Sequence, residues 1–437
     1  MEYEAGASKV VAAYALPSAK RRSVWRKRGR KPERANIFRY FTNCTFPLCW
    51  NFQPLGSLAM LHRRPNTVMT KGERRNKGDP MVFLLLESSA SLALSAFLIV
   101  FLRRLAIPLH LIDLPDHRKI HEGAIPLCGG IAIFLSFAGI TLLSGPLSLG
   151  LGFWVAMGLI TILGVADDRF TLPARTRFLA QVLIALALIT TEGLGRLSLG
   201  DLLPPEAIGG AAGLFILSAT FIVGLVNAWN MMDGIDGLAG GSAVAALVWI
   251  LLLVVHLNEE GLVFPVMALI AAIIGFLIFN ARSPWRPKAA VYLGDAGSTT
   301  LGAIIAYLVL RLSGGTDDLP FPVLLWLVII PVTDTLSLMV RRMLDHRSPM
   351  SADRRHLHHL LIDTGLSPAA ASYTIIVVSF LCGGVGYLGL VAGVPASVMT
   401  IGLFFVAFAH TAFVLAVEAS VRHRLHRIVR PSINLHP

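Results

Sequence analysis

Four short segments concentrate the residues able to do chemistry. They are "GVADDRF" (164–170), "NMMDGIDGLAGG" (230–241), "YLGDAGSTTLG" (292–302) and "MSADRRHLHHLL" (350–361). The first sets Asp167 beside Asp168. Adjacent acids repel, and both stay ionised only near a cation. A hard cation such as Mg²⁺ takes one or two carboxylates plus substrate phosphates. A solvated helix end would tolerate the same pair. The second segment repeats Asp-Gly, with Asn230 just ahead of Asp233 and Asp236. Glycine-permissive turns let backbone N–H groups approach a phosphate closely. They also suit an ordinary surface turn. The third flanks Asp295 with glycines, and Ser298 and Thr299 could cap the next helix or meet phosphate.

The fourth segment gathers Arg354, Arg355, His356, His358 and His359. Its spacing fits neither HExxH nor a Cys/His finger. Arginine neighbours disfavour a second cation, so an anion-binding cluster is the better expectation. A fifth stretch, "DHRKIHEGAIPLCGG" (116–130), offers Arg118, Lys119 and His121. Those cations suit an anion, or simply the anchoring of a basic loop beside a membrane. No one segment decides the chemistry. Together they imply a diphosphate-bearing substrate handled with a divalent cation. No Walker A or protein-kinase pattern accompanies them, which argues against ATP hydrolysis.

These segments must be positioned by membrane helices. The 437 residues are 55% hydrophobic and 15% charged, whereas soluble domains carry about 25% charged residues. Apolar runs long enough to cross a hydrocarbon core recur from residue 82 to 417. They predict eleven spans, at 82–102, 124–143, 151–166, 178–194, 210–227, 238–256, 262–280, 298–312, 320–340, 372–392 and 395–417. The eighth is short and must borrow from its neighbours. Continuous apolar runs exclude the alternating pattern of a β-barrel. The expected fold class is an all-α polytopic integral membrane protein with an active-site cleft on the cytoplasmic face.

Orientation follows from loop charge. Past residue 80, nineteen Lys and Arg fall in one set of alternate loops and the C-terminus, against Arg196 and Arg311 in the other. The first set is therefore expected to be cytoplasmic, and it contains every segment named above. Acids at span ends also separate this chain from a secondary transporter, whose acids sit near the midplane on broken helices.

The formal charge of +12 has a single source. Residues 1–80 hold 17 Lys and Arg against 5 Asp and Glu, and the remainder balances at 21 and 21. That basic stretch is followed by no apolar core of signal-peptide length. Translation is expected to begin near Met81. The chain then divides into a basic extension (1–80), a membrane-embedded part (81–430) and a short tail (431–437). Nothing in the extension supports nucleic-acid binding. Cys44, Cys49, Cys128 and Cys382 show no metal spacing and are expected to be unpaired thiols.

With these residues in view, the chain resembles the polyprenyl-phosphate N-acetylhexosamine-1-phosphate transferases. The likeness rests on "LIDLPDHRKIHEGAIPLCGGIAIF", "GVADDRF", "NAWNMMDGIDGLAGG", "GFLIFN", "YLGDAGSTTLG" and "RRMLDHRSPMSADRRHLHHLL", which occur in family order and spacing. It is most similar to the bacterial branch that uses N-acetylglucosamine and undecaprenyl phosphate. The resemblance implies a multi-pass protein of the bacterial inner membrane; a homodimer is one assembly open to it, and the sequence does not fix the oligomeric state. It implies transfer of sugar-1-phosphate from a UDP-sugar to undecaprenyl phosphate, release of UMP, and a need for Mg²⁺ or Mn²⁺. The step would open the synthesis of a cell-surface polysaccharide such as O-antigen.

The resemblance also implies residue roles. Asp167 would deprotonate or orient the lipid phosphate. Asp168 would support it and the metal, and Asp295 would be the principal metal ligand. Asn230, Asp233 and Asp236 would shape the nucleotide and diphosphate pocket. Arg354, His356, His358 and His359 would hold the diphosphate, with Lys119 as a further substrate-binding cation. Arg169, where some branches carry an acid or lysine, and the HLHH order both argue against the branch that uses phospho-MurNAc-pentapeptide.

Overall fold

The computed structural model describes residues 80–114, 123–144, 148–314, 319–347 and 355–429, with backbone alone for Pro80 and 421–429. The basic extension, Lys119 and Arg354 lie outside these residues.

Apolar runs become helices where lipid leaves the backbone no other way to satisfy its N–H and C=O groups. In chain order they are α1 (Pro80–Ala106), α2 (Gly129–Leu143), α3 (Leu151–Phe170), α4 (Ala174–Glu192), α5 (Gly210–Asn230), α6 (Leu238–His256) and α7 (Glu260–Asn280). Then follow α8 (Gly294–Ser313), α9 (Phe321–Leu324), α10 (Ile329–Leu344), α11 (Leu357–Asp363), α12 (Pro368–Val391) and α13 (Ala396–Val429). A 3-10 turn, Leu325–Val328, joins α9 to α10 as one span, Phe321–Leu344. Among the described residues ten helices are long and apolar enough to cross a membrane, and α2 is a shorter apolar helix. The chain is an all-α, multi-pass membrane protein.

Two spans depart from expectation in an informative way. The second was expected over 124–143, but its helix starts at Gly129. Pro126 disfavours the helical conformation in the residue before it, Ile125. Ile125 and Pro126 instead form strand β2, antiparallel to β1 (Ile112–Asp113). The 15-residue helix that remains is about 22 Å long, less than the roughly 30 Å of a hydrocarbon core. The eighth span, expected from 298, begins at Gly294. The residues it borrows are those of the GDAG motif, so Asp295 sits in the first helical turn rather than in a loop.

α8 is the axis of the molecule. Every residue from Gly294 to Leu310 is buried. Its small residues allow that enclosure, because small side chains let membrane helices approach backbone to backbone. A Cβ added at Gly130 of α2 would run into the Gly297 backbone, and one at Gly164 of α3 into Ala296. At the periphery, Ser91 and Ser95 of α1 donate to the carbonyls of Ala268 and Ala272 on α7, both at 2.8 Å. Phe97, Leu143, Phe404, Phe405 and Phe408 face outward, as lipid-facing side chains should.

Candidate active site

The ends of α3, α5 and α8 and the start of α4 converge on one buried polar centre. Asp167 and Asp168 are consecutive, so the 100° step of the helix sends their carboxylates to different neighbours. Asp167 closes the turn into α4. Its Oδ1 accepts the Leu172 N–H at 2.7 Å, and its Oδ2 accepts Arg177 Nη1. Asp168 turns the other way and caps α8: Oδ1 accepts the N–H of Asp295 at 2.8 Å and Oδ2 that of Ala296 at 3.1 Å. Those N–H groups belong to a first helical turn and have no carbonyl of their own helix to bond. A carboxylate there also faces the positive end of the helix dipole.

Gly294 makes this approach possible. Its φ is +74°, and a Cβ there would stand 2.6 Å from Asp168 Oδ2. Ser298 and Thr299 do not cap α8. Their hydroxyls donate back along α8, to Gly294 O at 3.0 Å and Asp295 O at 2.6 Å. The cap comes from Asp168, a residue of another helix.

Asp295, fixed by this cap, is 4% exposed. Its Oδ1 accepts Asn230 Nδ2 at 3.4 Å. Its Oδ2 stands 3.4 Å from Arg177 Nη1, and the Asp167 carboxylate lies within hydrogen-bonding reach. Arg177 thus bridges two carboxylates that face each other. Asp113 of β1 lies near enough to act on Asp168 electrostatically.

Asn230 is therefore a neighbour of the carboxylates. From it the chain turns through 231–237. Asp236 pins this turn to the next loop, accepting Arg282 Nε at 2.7 Å and the Ala289 N–H at 3.3 Å. Asn280 ties it again, accepting the Gly237 N–H at 2.8 Å and donating to Val291 O at 2.9 Å. Asp233 is half-buried and acts on Tyr292 electrostatically. Burial first, then Asp236 and Asp113, pushes the Tyr292 phenol above its ordinary range, so it stays a neutral donor.

The histidines meet the same turn. His358 is buried, and its Nε2 abuts Gly234 where a Cβ would be. His356 is also buried and stacks on His358 with centroids 5.7 Å apart and planes 7° apart. His359 packs against His358 at 4.3 Å and is only half-buried. The histidine segment is packed against the 231–237 turn, with His356 bonded to Asp334 through Nδ1 at 3.1 Å.

Among the described residues no three His, Cys, Asp or Glu side chains converge as a ready-made metal cage. The donor set nevertheless fits a hard cation. Mg²⁺ keeps several waters and takes one or two carboxylates with substrate phosphates, and Asp167 with Asp295 supplies two facing carboxylates. Asp168, expected beside Asp295 as a metal ligand, has both oxygens on backbone N–H groups. Arg177 was visible in the sequence only as one basic loop residue among many. Its role shows only once residues 118 positions apart are brought together.

Comparison with known proteins bears on the same stretch of chain. The family model described as "Glycosyl transferase family 4" matches residues 150–313, the stretch that supplies Asp167, Asp168, Arg177, Asn230, Asp233, Asp236 and Asp295. Three relatives carry the name undecaprenyl-phosphate alpha-N-acetylglucosaminyl 1-phosphate transferase. That of Yersinia pestis is 33% identical over 317 residues, covering 72% of this chain and 86% of the relative. That of Salmonella typhi is 34% identical over 329 residues, 73% of this chain and 87% of the relative. That of Haemophilus influenzae is 33% identical over 319 residues, 72% of this chain and 90% of the relative. With such relatives along most of their own length, and with the polar centre built inside the matched helices, the chain belongs to glycosyl transferase family 4.

Proposed function

We propose that the protein transfers N-acetylglucosamine-1-phosphate from UDP-N-acetylglucosamine to undecaprenyl phosphate and releases UMP. One observation carries the reading: the buried Asp167–Arg177–Asp295 centre, at helix ends, in a chain whose relatives bear that activity in their names. A phosphate oxygen of the lipid attacks the phosphorus that bears the sugar. A new P–O–P bond forms, the old bridge to the uridine phosphate breaks, and its electron pair leaves with UMP. Both reactants are anionic, so the site must neutralise charge and hold the groups in line.

Each residue has a part in that task. Arg177 offers a guanidinium at the meeting point of the two carboxylates and suits phosphate oxygens. Asp295 and Asp167 would hold a Mg²⁺ or Mn²⁺ ion, with Asp168 placing Asp295. When bound, that ion supplies charge neutralisation on the transferring phosphate. A lipid phosphate is mostly ionised at neutral pH, so Asp167 positions more than it deprotonates. His358 and His359, beside the 231–237 turn, would meet the diphosphate together with Arg354. Lys119 would add a further cation. The nineteen-to-two charge split supports a centre facing the cytoplasm, where UDP-sugars are made, from the bacterial inner membrane. The product would be the lipid carrier that opens synthesis of a surface polysaccharide.

The test is transfer of radiolabelled sugar phosphate by the purified protein in detergent, with several UDP-N-acetylhexosamines side by side. The reading expects UDP-N-acetylglucosamine to lead, a divalent cation to be required, and Asp295→Asn to be inactive. Full activity of Asp295→Asn, or preference for another donor, overturns it.

A further inference from the structure

A second set of buried charges lies away from the carboxylate centre, where α10, α13 and the histidine segment meet. Asp334 of α10 is buried. Its Oδ2 is 3.1 Å from His356 Nδ1, and its Oδ1 accepts the Leu357 N–H at 3.1 Å. On the far side, His410 Nε2 of α13 lies 3.7 Å from Asp334 Oδ1. His410 is 9% exposed, and neither of its ring nitrogens makes a hydrogen bond within the described residues.

A second tie lies eight residues along α13, on the same helix face. Glu418 accepts Arg341 Nη1 at 3.3 Å and stands 3.5 Å from Arg355 Nη1. Arg341 Nη2 in turn donates to the carbonyl of Arg355 at 2.9 Å. An ionisable group inside a membrane helix is costly and is retained with a partner or a task. Here two such groups, on the last membrane helix, flank residues 355–357. They sit apart from Asp295 and touch none of the reacting groups proposed above.

We propose that α13 is a positioning element for the transfer reaction. His410, through Asp334, and Glu418, through Arg341 and Arg355, set the histidine segment against the 231–237 turn. His356 is the hinge of this linkage. Asp334 fixes its ring, the ring stacks on His358, and His358 rests on the turn beside Asn230. The His410 ring, packed 3.7 Å from Asp334 on its far side, keeps that carboxylate aimed at His356 Nδ1 and the Leu357 N–H. His410 and Glu418 are positioning residues and touch no substrate. This rests on the transferase reading for its kinetic consequence, but not for its structural one.

Two measurements separate those parts. Kinetically, His410→Ala should lower kcat/KM about tenfold, and His410→Gln, which restores an N–H near the Nε2 position, should return to within about threefold of wild type. In a His356→Ala background the further loss from His410→Ala should be less than about twofold, because coupled residues do not add. A purely structural role predicts factors that multiply, and that result overturns the proposal. Structurally, limited trypsin treatment of the full-length protein without substrate reports how often the Arg355–His356 bond is undocked. Cleavage there should be several-fold faster in His410→Ala and Glu418→Gln than in wild type, and close to wild type in His410→Gln. Unchanged cleavage in both variants overturns the proposal even if activity falls. Should the wild type transfer no sugar phosphate, the transferase reading fails, and the cleavage pattern still decides the positioning.

Discussion

The carboxylate of Asp168 holds the backbone of Asp295, at 2.8 Å from its N–H, and so one acid places another. Asp295 then faces Asp167 and Arg177. The three aspartates differ in what they touch, and the differences give them separable roles. Asp168→Asn keeps one acceptor but turns an NH2 group toward a backbone N–H of α8. A charge-assisted hydrogen bond contributes about 1.5–3 kcal/mol, so this variant should lose about 2 kcal/mol of stability and much of its rate. Asp295→Asn removes one of two facing buried charges. It should lose activity while its melting temperature holds or rises. Melting curves and initial rates in detergent check the pair; equal destabilisation of both variants would contradict the capping role.

Arg177 bridges Asp167 and Asp295 and competes with a bound cation for the same carboxylates. Arg177→Ala should lower kcat by about two orders of magnitude, the scale of losing one electrostatic stabiliser. The same substitution leaves the carboxylates more negative, so the Mg²⁺ concentration for half-maximal activity should fall. Arg177→Lys keeps the charge without the planar fork and should lie between. Cation titrations of the three proteins test the signs; a higher Mg²⁺ requirement in Arg177→Ala would contradict competition.

Much of this was legible in the sequence, and the rest was hidden for physical reasons. Apolar runs fix membrane helices because lipid leaves the backbone few options, so the expected spans and the observed helices agree closely. Asp167, Asp168 and Asp295 stood out because acids at apolar helix ends need a reason. Their division of labour did not stand out. Asp168 reaches a helix that starts 126 residues later, and no local pattern reports a cap supplied from another helix. The shortening of α2 was readable in Pro126, which keeps the residue before it out of the helical region, but its pairing with β1 was not. His410 and Glu418 look like lone polar residues in an apolar run until α13 is packed against α10.

The close crossing of α2, α3 and α8 predicts where side-chain volume is forbidden. A Cβ at Gly130 meets the Gly297 backbone, whereas one at Gly158 of α3 meets nothing within 4 Å. Gly130→Val should lose roughly 3 kcal/mol or more, as overpacking in a fixed crossing does, and should accumulate poorly in membranes. Gly158→Val should accumulate and melt like wild type. Expression level and thermal unfolding compare the two, and equal behaviour would contradict the tight crossing.

The histidine segment should divide by burial and partner. His356 is 2% exposed and tied to Asp334, so His356→Ala leaves a buried carboxylate short of a partner. Such losses cost about 1–3 kcal/mol, and this variant should lose both stability and rate. His358 rests on the turn at Gly234, and His358→Ala should act mainly on donor KM, about tenfold or more, with a smaller loss of stability. His359, half-buried, should show the smallest stability change of the three. Kinetics at varied UDP-sugar concentration, paired with melting curves, assign each histidine. If His356→Ala melts like wild type while His359→Ala collapses, the packing order within the segment is other than the one described.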